Sequence, residues 1–180
     1  VDAPPMERNS APDRWTGHAL QLERPDDPWR PRNPNVVAGV FVHCGPWVFN
    51  DFASYQVNVD SNGCNIIGDA ANEPSLAIDT IHPANIVIGF RQFDTITSNF
   101  RQAGYAYSHD SGVNWTFPGV LDPGVFRTDP VLASDAEGNV YYLSMVSDAE
   151  ISFVYCDLWK SLDAGVSWSD PVYAYGGDKA

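Results

Sequence analysis

The feature that most constrains this chain is an octapeptide written twice. Ser108-His109-Asp110-Ser111-Gly112-Val113-Asn114-Trp115 returns 53 residues later as Ser161-Leu162-Asp163-Ala164-Gly165-Val166-Ser167-Trp168. Both copies read S-x-D-x-G-x-x-W. The spacing has a physical logic: Asp accepts backbone N–H groups to close a tight turn, Gly supplies a positive φ, and Ser bonds locally. Trp is expected to start the next strand and to pack beneath the turn.

The repetition extends upstream of the octapeptide. Glu73-Pro74-Ser75-Leu76-Ala77-Ile78-Asp79 realigns with Asp129-Pro130-Val131-Leu132-Ala133-Ser134-Asp135 at an offset of 56. A turn follows each, His82-Pro83-Ala84-Asn85 or Ala136-Glu137-Gly138-Asn139, and then a second strand, Ile86–Phe90 or Val140–Ser144. Gly104–Tyr107 and Phe153–Cys156 read as the third strands. Apolar alternation of period two therefore predicts two four-stranded units, about 73–120 and 129–175, with no helix-period run of convincing length. The runs Val36–Val42 and Tyr55–Val59 read as further β segments flanking these units.

The octapeptides resemble the Asp-box, or BNR repeat, of the sialidase-like β-propellers, where the box forms the hairpin between the third and fourth strands of a blade. Stretches such as N-E-P-S-L-A-I-D, I-G-F-R-Q-F-D and T-F-P-G-V-L-D-P-G-V-F-R-T-D-P are similar to a bacterial group of exported Asp-box proteins. The resemblance covers about residues 55 to 180. It implies an all-β fold, a partial sialidase-like β-propeller with two four-stranded Asp-box blades plus flanking strands. Ser108, Asp110, Gly112, Trp115, Ser161, Asp163, Gly165 and Trp168 are its structural box residues. Propellers close with typically about 4 to 8 blades, more than 180 residues can supply at this period. Either the chain is a fragment of a longer protein, or its open blade edges are covered by something else, since an uncovered edge invites aggregation.

Composition bounds the partners. Hydrophobic residues at 44% with 13% aromatics suffice for a core, and charged residues at 18% are too few for a disordered polyelectrolyte. A net charge of -13 without a Lys/Arg cluster argues against nucleic acid and against an anionic membrane surface. No apolar run approaches the roughly 20 residues of a spanning helix.

Residues 1–35 stand apart, with seven of the 14 prolines and five of the ten positive charges. Proline fixes φ and removes a donor, so this stretch is expected to be an extended arm. Trp15 and Trp29 favour an arm that lies down on a surface, its own domain's or a partner's, over a free linker. The chain begins at Val1 rather than Met, which reads as a processed end, and export to the periplasm or cell exterior is expected. Cys44 and Cys64 either bridge a loop in an oxidising compartment, leaving Cys156 alone, or all three are free thiols.

By resemblance, a catalytic propeller of this kind would need three arginines, a tyrosine nucleophile activated by a glutamate, and an aspartate acid/base spread over several blades. Phe90-Arg91-Gln92-Phe93 echoes only part of the sialidase F-R-I-P motif. Arg91 with Asp94, Arg101 and Arg127 are candidates for ligand or partner contact, weighed against structural ion pairs or bonds to turn carbonyls and to Asp129. No Tyr–Glu nucleophile pair is identifiable. His18, His43, His82 and His109 lack metal-ligand spacing. The loop Asp60–Asn65 with Asp69 crowds oxygen atoms, but its glycine is misplaced for an EF-hand, and a plain Asx turn is expected there. No cofactor or metal is expected.

The functional expectation is a non-catalytic exported interaction or structural module. It docks on a larger protein assembly, membrane-associated or not, through its arm and open blade edges. The alternative is the N-terminal fragment of a sialidase-like glycoside hydrolase or glycan-binding propeller.

Overall fold

The computed structural model describes residues 41–147 and 154–176, and all regular structure among them is β. After a short hairpin, β1 (Trp47–Phe49) and β2 (Phe52–Ser54), come two four-stranded sheets. The first holds β3 (Ala70–Ile78), β4 (Ile86–Phe93), β5 (Arg101–Ser108) and β6 (Thr116–Leu121); the second holds β7 (Arg127–Ser134), β8 (Val140–Ser147), β9 (Val154–Ser161) and β10 (Val172–Gly176). Within each sheet the strands pair antiparallel in sequence order. Two up-and-down meanders of four strands, each turning through the same octapeptide between third and fourth strand, are the arrangement of two adjoining blades.

The same local chemistry builds both sheets. The first strand of each carries an acid before proline, Glu73-Pro74 and Asp129-Pro130. Proline has no N–H for the ladder, so the register slips there, between Asn72 and Ser75 and between Thr128 and Val131. The extra residue is absorbed by turning Glu73 and Asp129 to φ 51° and 50°. Each first turn is closed by an aspartate. Asp79 Oδ1 accepts from the backbone N–H groups of Ile81 and His82, and Asp135 Oδ1 from those of Glu137 and Asn139. The Asp135 carboxyl is held down at about 2 by the Asn139 side chain, against burial, with help from the Tyr141 hydroxyl.

The core lies where one face of the first sheet meets one face of the second. It gathers Ala77, Val87, Ala103, Tyr105 and Leu121 from the first with Leu132, Val140, Tyr142 and Trp159 from the second. Gly89 is the point of closest approach: a Cβ there would overlap Leu132 Cδ1 and the Tyr142 ring. Polar bonds fix the registration, from Leu132 N to Ser75 Oγ at 2.9 Å, Ser134 Oγ to Ile78 O at 2.6 Å and Tyr142 Oη to Gly104 O at 3.1 Å.

Residues 41–69 attach to the first sheet from the side. Asp69 holds them there, accepting from Gln92 Nε2 at 2.6 Å and from Asn58 Nδ2 at 3.1 Å. The strand expected over Tyr55–Val59 does not form; Val59 makes only an isolated bridge to Asn65. The physical reason is local: Asp60 Oδ1 takes the N–H groups of Asn62 and Cys64 and folds the chain back at once. Phe41 and Val42 are likewise outside any strand, and the rest of the Val36–Val42 run lies outside the described residues. Two short flanking strands do exist, but they are β1 and β2, which pair with each other.

Candidate functional site

The two octapeptides fold alike. Ser108 Oγ donates to Asp110 Oδ1 at 2.8 Å and accepts from Gly112 N at 2.9 Å; Ser161 Oγ does the same with Asp163 Oδ1 at 2.8 Å and Gly165 N at 2.8 Å. Asp110 Oδ1 then accepts from Val113 N and Asn114 N, and Asp163 Oδ1 from Ser167 N. The Asn114 backbone N–H, its side-chain amide and the Ser108 hydroxyl hold the Asp110 carboxyl down at about 2. Asp163 is also lowered: burial opposes this, and the Ser167 hydroxyl and backbone N–H prevail. The glycines at φ 83° and 91° each follow a non-glycine residue, Ser111 or Ala164, that is also at positive φ.

The tryptophans differ between the copies. Trp115 immediately precedes β6, as expected, and its Nε1 donates to Gly112 O at 2.9 Å. Trp168 does not start a strand, because Pro171 intervenes and β10 begins at Val172. Ser169 covers the gap, its N–H bonding Lys160 O at 2.8 Å while its Oγ accepts from Lys160 N at 3.1 Å. The Trp168 ring instead enters the interface between the sheets, edge-on to Tyr105 at 5.6 Å and to Tyr142 at 6.0 Å.

Arg91, Arg101 and Arg127 are all buried at the end of the strands opposite the octapeptide turns. Arg91 pairs with Glu73, donates to Asn72 Oδ1 at 2.9 Å and reaches across to Thr128 Oγ1 at 3.3 Å. Arg101 donates to Asn99 Oδ1 at 2.9 Å and lies over the Phe126 ring at 5.1 Å. Burial lowers the pKa of both, opposed by the charge of Asp129. Arg127 Nη2 donates to Asp122 Oδ2 at 2.6 Å and to Asp157 Oδ2 at 2.9 Å, and its guanidinium stands 4.4 Å from the Trp159 ring centre. These partners were not visible in the sequence. Asp157 sits among apolar neighbours in Cys156-Asp157-Leu158-Trp159, and an acid in such a strand was the available signal.

Cys44 and Cys64 are joined by a disulfide, and Cys156 is a free thiol whose pKa is raised by burial and by the charges of Asp157 and Asp129. Asp60 forms an Asx turn, and Asp69 is engaged separately by Gln92 and Asn58. No cluster of three or more metal-ligating side chains occurs among the described residues. Trp15, Trp29, His18 and the whole expected arm over 1–35 lie outside the described residues.

The most distinctive surface is the outer face of the second sheet. Strand register puts Ser75, Gly89 and Tyr105 of the first sheet in one row, and the repeat places Val131, Leu143 and Leu158 in the matching row of the second. Ala77 and Val87 correspond in the same way to Ala133 and Tyr141. In the first sheet this face is covered by the second, leaving Val87 1% and Tyr105 7% exposed. In the second sheet no described residue covers it, and Val131 is 55% and Val172 62% exposed. Met145, Cys156 and Lys160 share that face.

An all-β chain of two repeated four-stranded sheets, the second with Val131 and Val172 exposed on its outer face, is the class these observations define. Two solved structures match part of the chain. A Hadza microbial sialidase, Hz136, matches with 14% identity and a TM-score of 0.45, covering 58% of this chain and 25% of that one. A protein of unknown function from Dyadobacter fermentans matches with 20% identity and a TM-score of 0.45, covering 59% and 36%. The chain thus spans well under half the length of either. No protein-family model and no curated protein matches it.

Proposed function

We propose that this chain is a non-catalytic interaction module, exported from a bacterial cell, that docks on other protein subunits through the open face of β7–β10. The observation that supports this most directly is internal to the molecule. The face that leaves Val131 and Val172 in water is the repeat counterpart of the face that Leu132 and Tyr142 cover on the first sheet. The occupant with matching chemistry is another four-stranded sheet bearing a bulky apolar pair, supplied by a partner subunit. Burying apolar area contributes roughly 25 cal/mol per Å² removed from water, so the exposed row favours association. The Trp-bearing arm over 1–35 is proposed as a second docking element.

The test is intact mass and sedimentation of the protein purified from its native source, alongside a Leu143→Glu variant. A chain near 19.8 kDa in stoichiometric complex with a β-rich subunit, released by the substitution, is the expected result. A monodisperse free monomer overturns the proposal. A much longer single polypeptide carrying further S-x-D-x-G-x-x-W copies gives the face to its own next repeat and favours the second reading, part of a sialidase-like or glycan-binding propeller.

A further inference from the structure

A cleft of about 340 Å³ opens between the segment 41–69 and the first octapeptide turn, lined by Tyr55, Gln56, Ser61, Asn62, Asn114 and Trp115 among others. Its origin lies in the repeat. In the second unit the box tryptophan, Trp168, fills the gap to the preceding sheet by meeting Tyr105 and Tyr142. In the first unit no four-stranded sheet precedes Trp115 among the described residues; the segment around Tyr55 and Asn62 stands there instead and leaves space.

The walls are held before any ligand arrives. The Cys44–Cys64 disulfide, the bond from Gly45 N to Gly63 O and the Asp60 turn fix one side. On the other, Asp110 Oδ2 takes Asn114 Nδ2 at 2.6 Å and fixes the amide, and Trp115 is pinned through its Nε1. Such preorganisation lowers the ordering cost of binding.

The chemistry of the lining selects a ligand class. In a chain of net charge -13, no charged side chain lines this cleft. It offers a phenol, an indole, three carboxamides and a hydroxyl. Carboxamides donate and accept in one plane and so match vicinal hydroxyls, while aromatic faces match the C–H face of a pyranose. A carboxylated or phosphorylated ligand would find no cation in the lining. From this lining we infer that the cleft binds a neutral pyranoside. It lies at the opposite end of β5 from Arg101, away from the buried arginines.

The test is saturation-transfer NMR on the full chain. The probes are methyl glycosides of glucose, galactose and N-acetylglucosamine at millimolar concentration, with N-acetylneuraminic acid as the charged comparison. At least one neutral glycoside is expected to receive saturation and the acid not. Tyr55→Ala and, separately, Gln56→Ala are expected to weaken binding about tenfold or more, a loss of roughly 1.4 kcal/mol, with the β circular-dichroism spectrum unchanged. Gln56→Ala keeps the test decisive if Tyr55→Ala fails to fold. The inference is overturned if no neutral glycoside responds, if the acid binds equally well, or if folded variants bind as the parent does.

Discussion

Arg127 of β7 donates through Nη2 to Asp157 Oδ2 of β9 at 2.9 Å, with both side chains about as fully sealed from water as any among the described residues. The same Nη2 holds Asp122 at the end of β6, so one guanidinium ties the second sheet to the first. Removing one member of a buried pair strands the other charge and costs about 3 to 5 kcal/mol. Arg127→Met takes the cation from the buried Asp157 and is therefore expected to lower stability by that order, whereas Asp157→Leu leaves Arg127 its pair with Asp122 and is expected to cost less. Making both replacements together is expected to cost less than Arg127→Met alone. Urea unfolding of the three variants checks this, and equal, additive losses would refute it.

Gly89 tests the fit of the two sheets. Its hydrogen faces Leu132 and Tyr142, so Gly89→Ala forces that pair aside and is expected to destabilise by about 1 to 3 kcal/mol. Adding Leu132→Ala should recover part of the loss, a coupling that a double-mutant cycle reads directly.

Ser161 is buried, and its Oγ accepts from Gly165 N while donating to Asp163. Ser161→Ala leaves that buried N–H without its acceptor, a penalty of about 1 to 3 kcal/mol. Ser161→Thr retains the hydroxyl and is expected to cost less in thermal unfolding. The comparison separates the lost bond from a general intolerance of substitution.

Acid should unfold the protein through its turns. Asp110 and Asp135 are held at about 2 in the folded chain, below the ordinary 3.8, by the hydrogen bonds of their own turns. The unfolded chain therefore takes up protons first as pH falls. The stability from these turns is complete above about pH 4 and is lost progressively towards about pH 2. Asp110→Asn should flatten the fall of the urea midpoint across that window, and an unchanged slope would exclude this origin.

Reducing the Cys44–Cys64 disulfide opens a loop with a sequence separation of 20. A loop of that order contributes about 3 kcal/mol in the chain-entropy account. Reduction is expected to accelerate amide exchange over 41–69 while the exchange of β8 and β9 stays slow. Uniform acceleration throughout would mean that this segment supports the whole core.

The two four-stranded units were legible in the sequence because their signals are local. Period-two alternation and the Asp, Gly and Ser of each turn act over a few residues, so β4 and β8 lie where alternation puts them. Strand ends were less legible, since partners decide them: β5 begins at Arg101 rather than Gly104 because Phe93 pairs with it there. Tyr55–Val59 alternates like a strand, but Asn58 turns its amide to Asp69 instead of entering a ladder. The Arg127–Asp157 pair joins residues 30 apart, beyond the reach of any turn pattern. Alternation also cannot say which face of a sheet finds a cover, so the contrast between Val87 and Val131 came only from the packing.

The segment 41–69, bonded to the first sheet through Asp69, has a directional consequence. The surface it flanks and the face bearing Val131 are not copies of one another, so a contact joining the two would run head to tail. Repeating the step that sets β7–β10 on β3–β6 would leave the face bearing Val131 at one terminus and the face bearing Leu76 and Ile78 at the other. Such addition would have a polarity, and the angle of each step would decide whether an array closed into a ring or continued as a fibre.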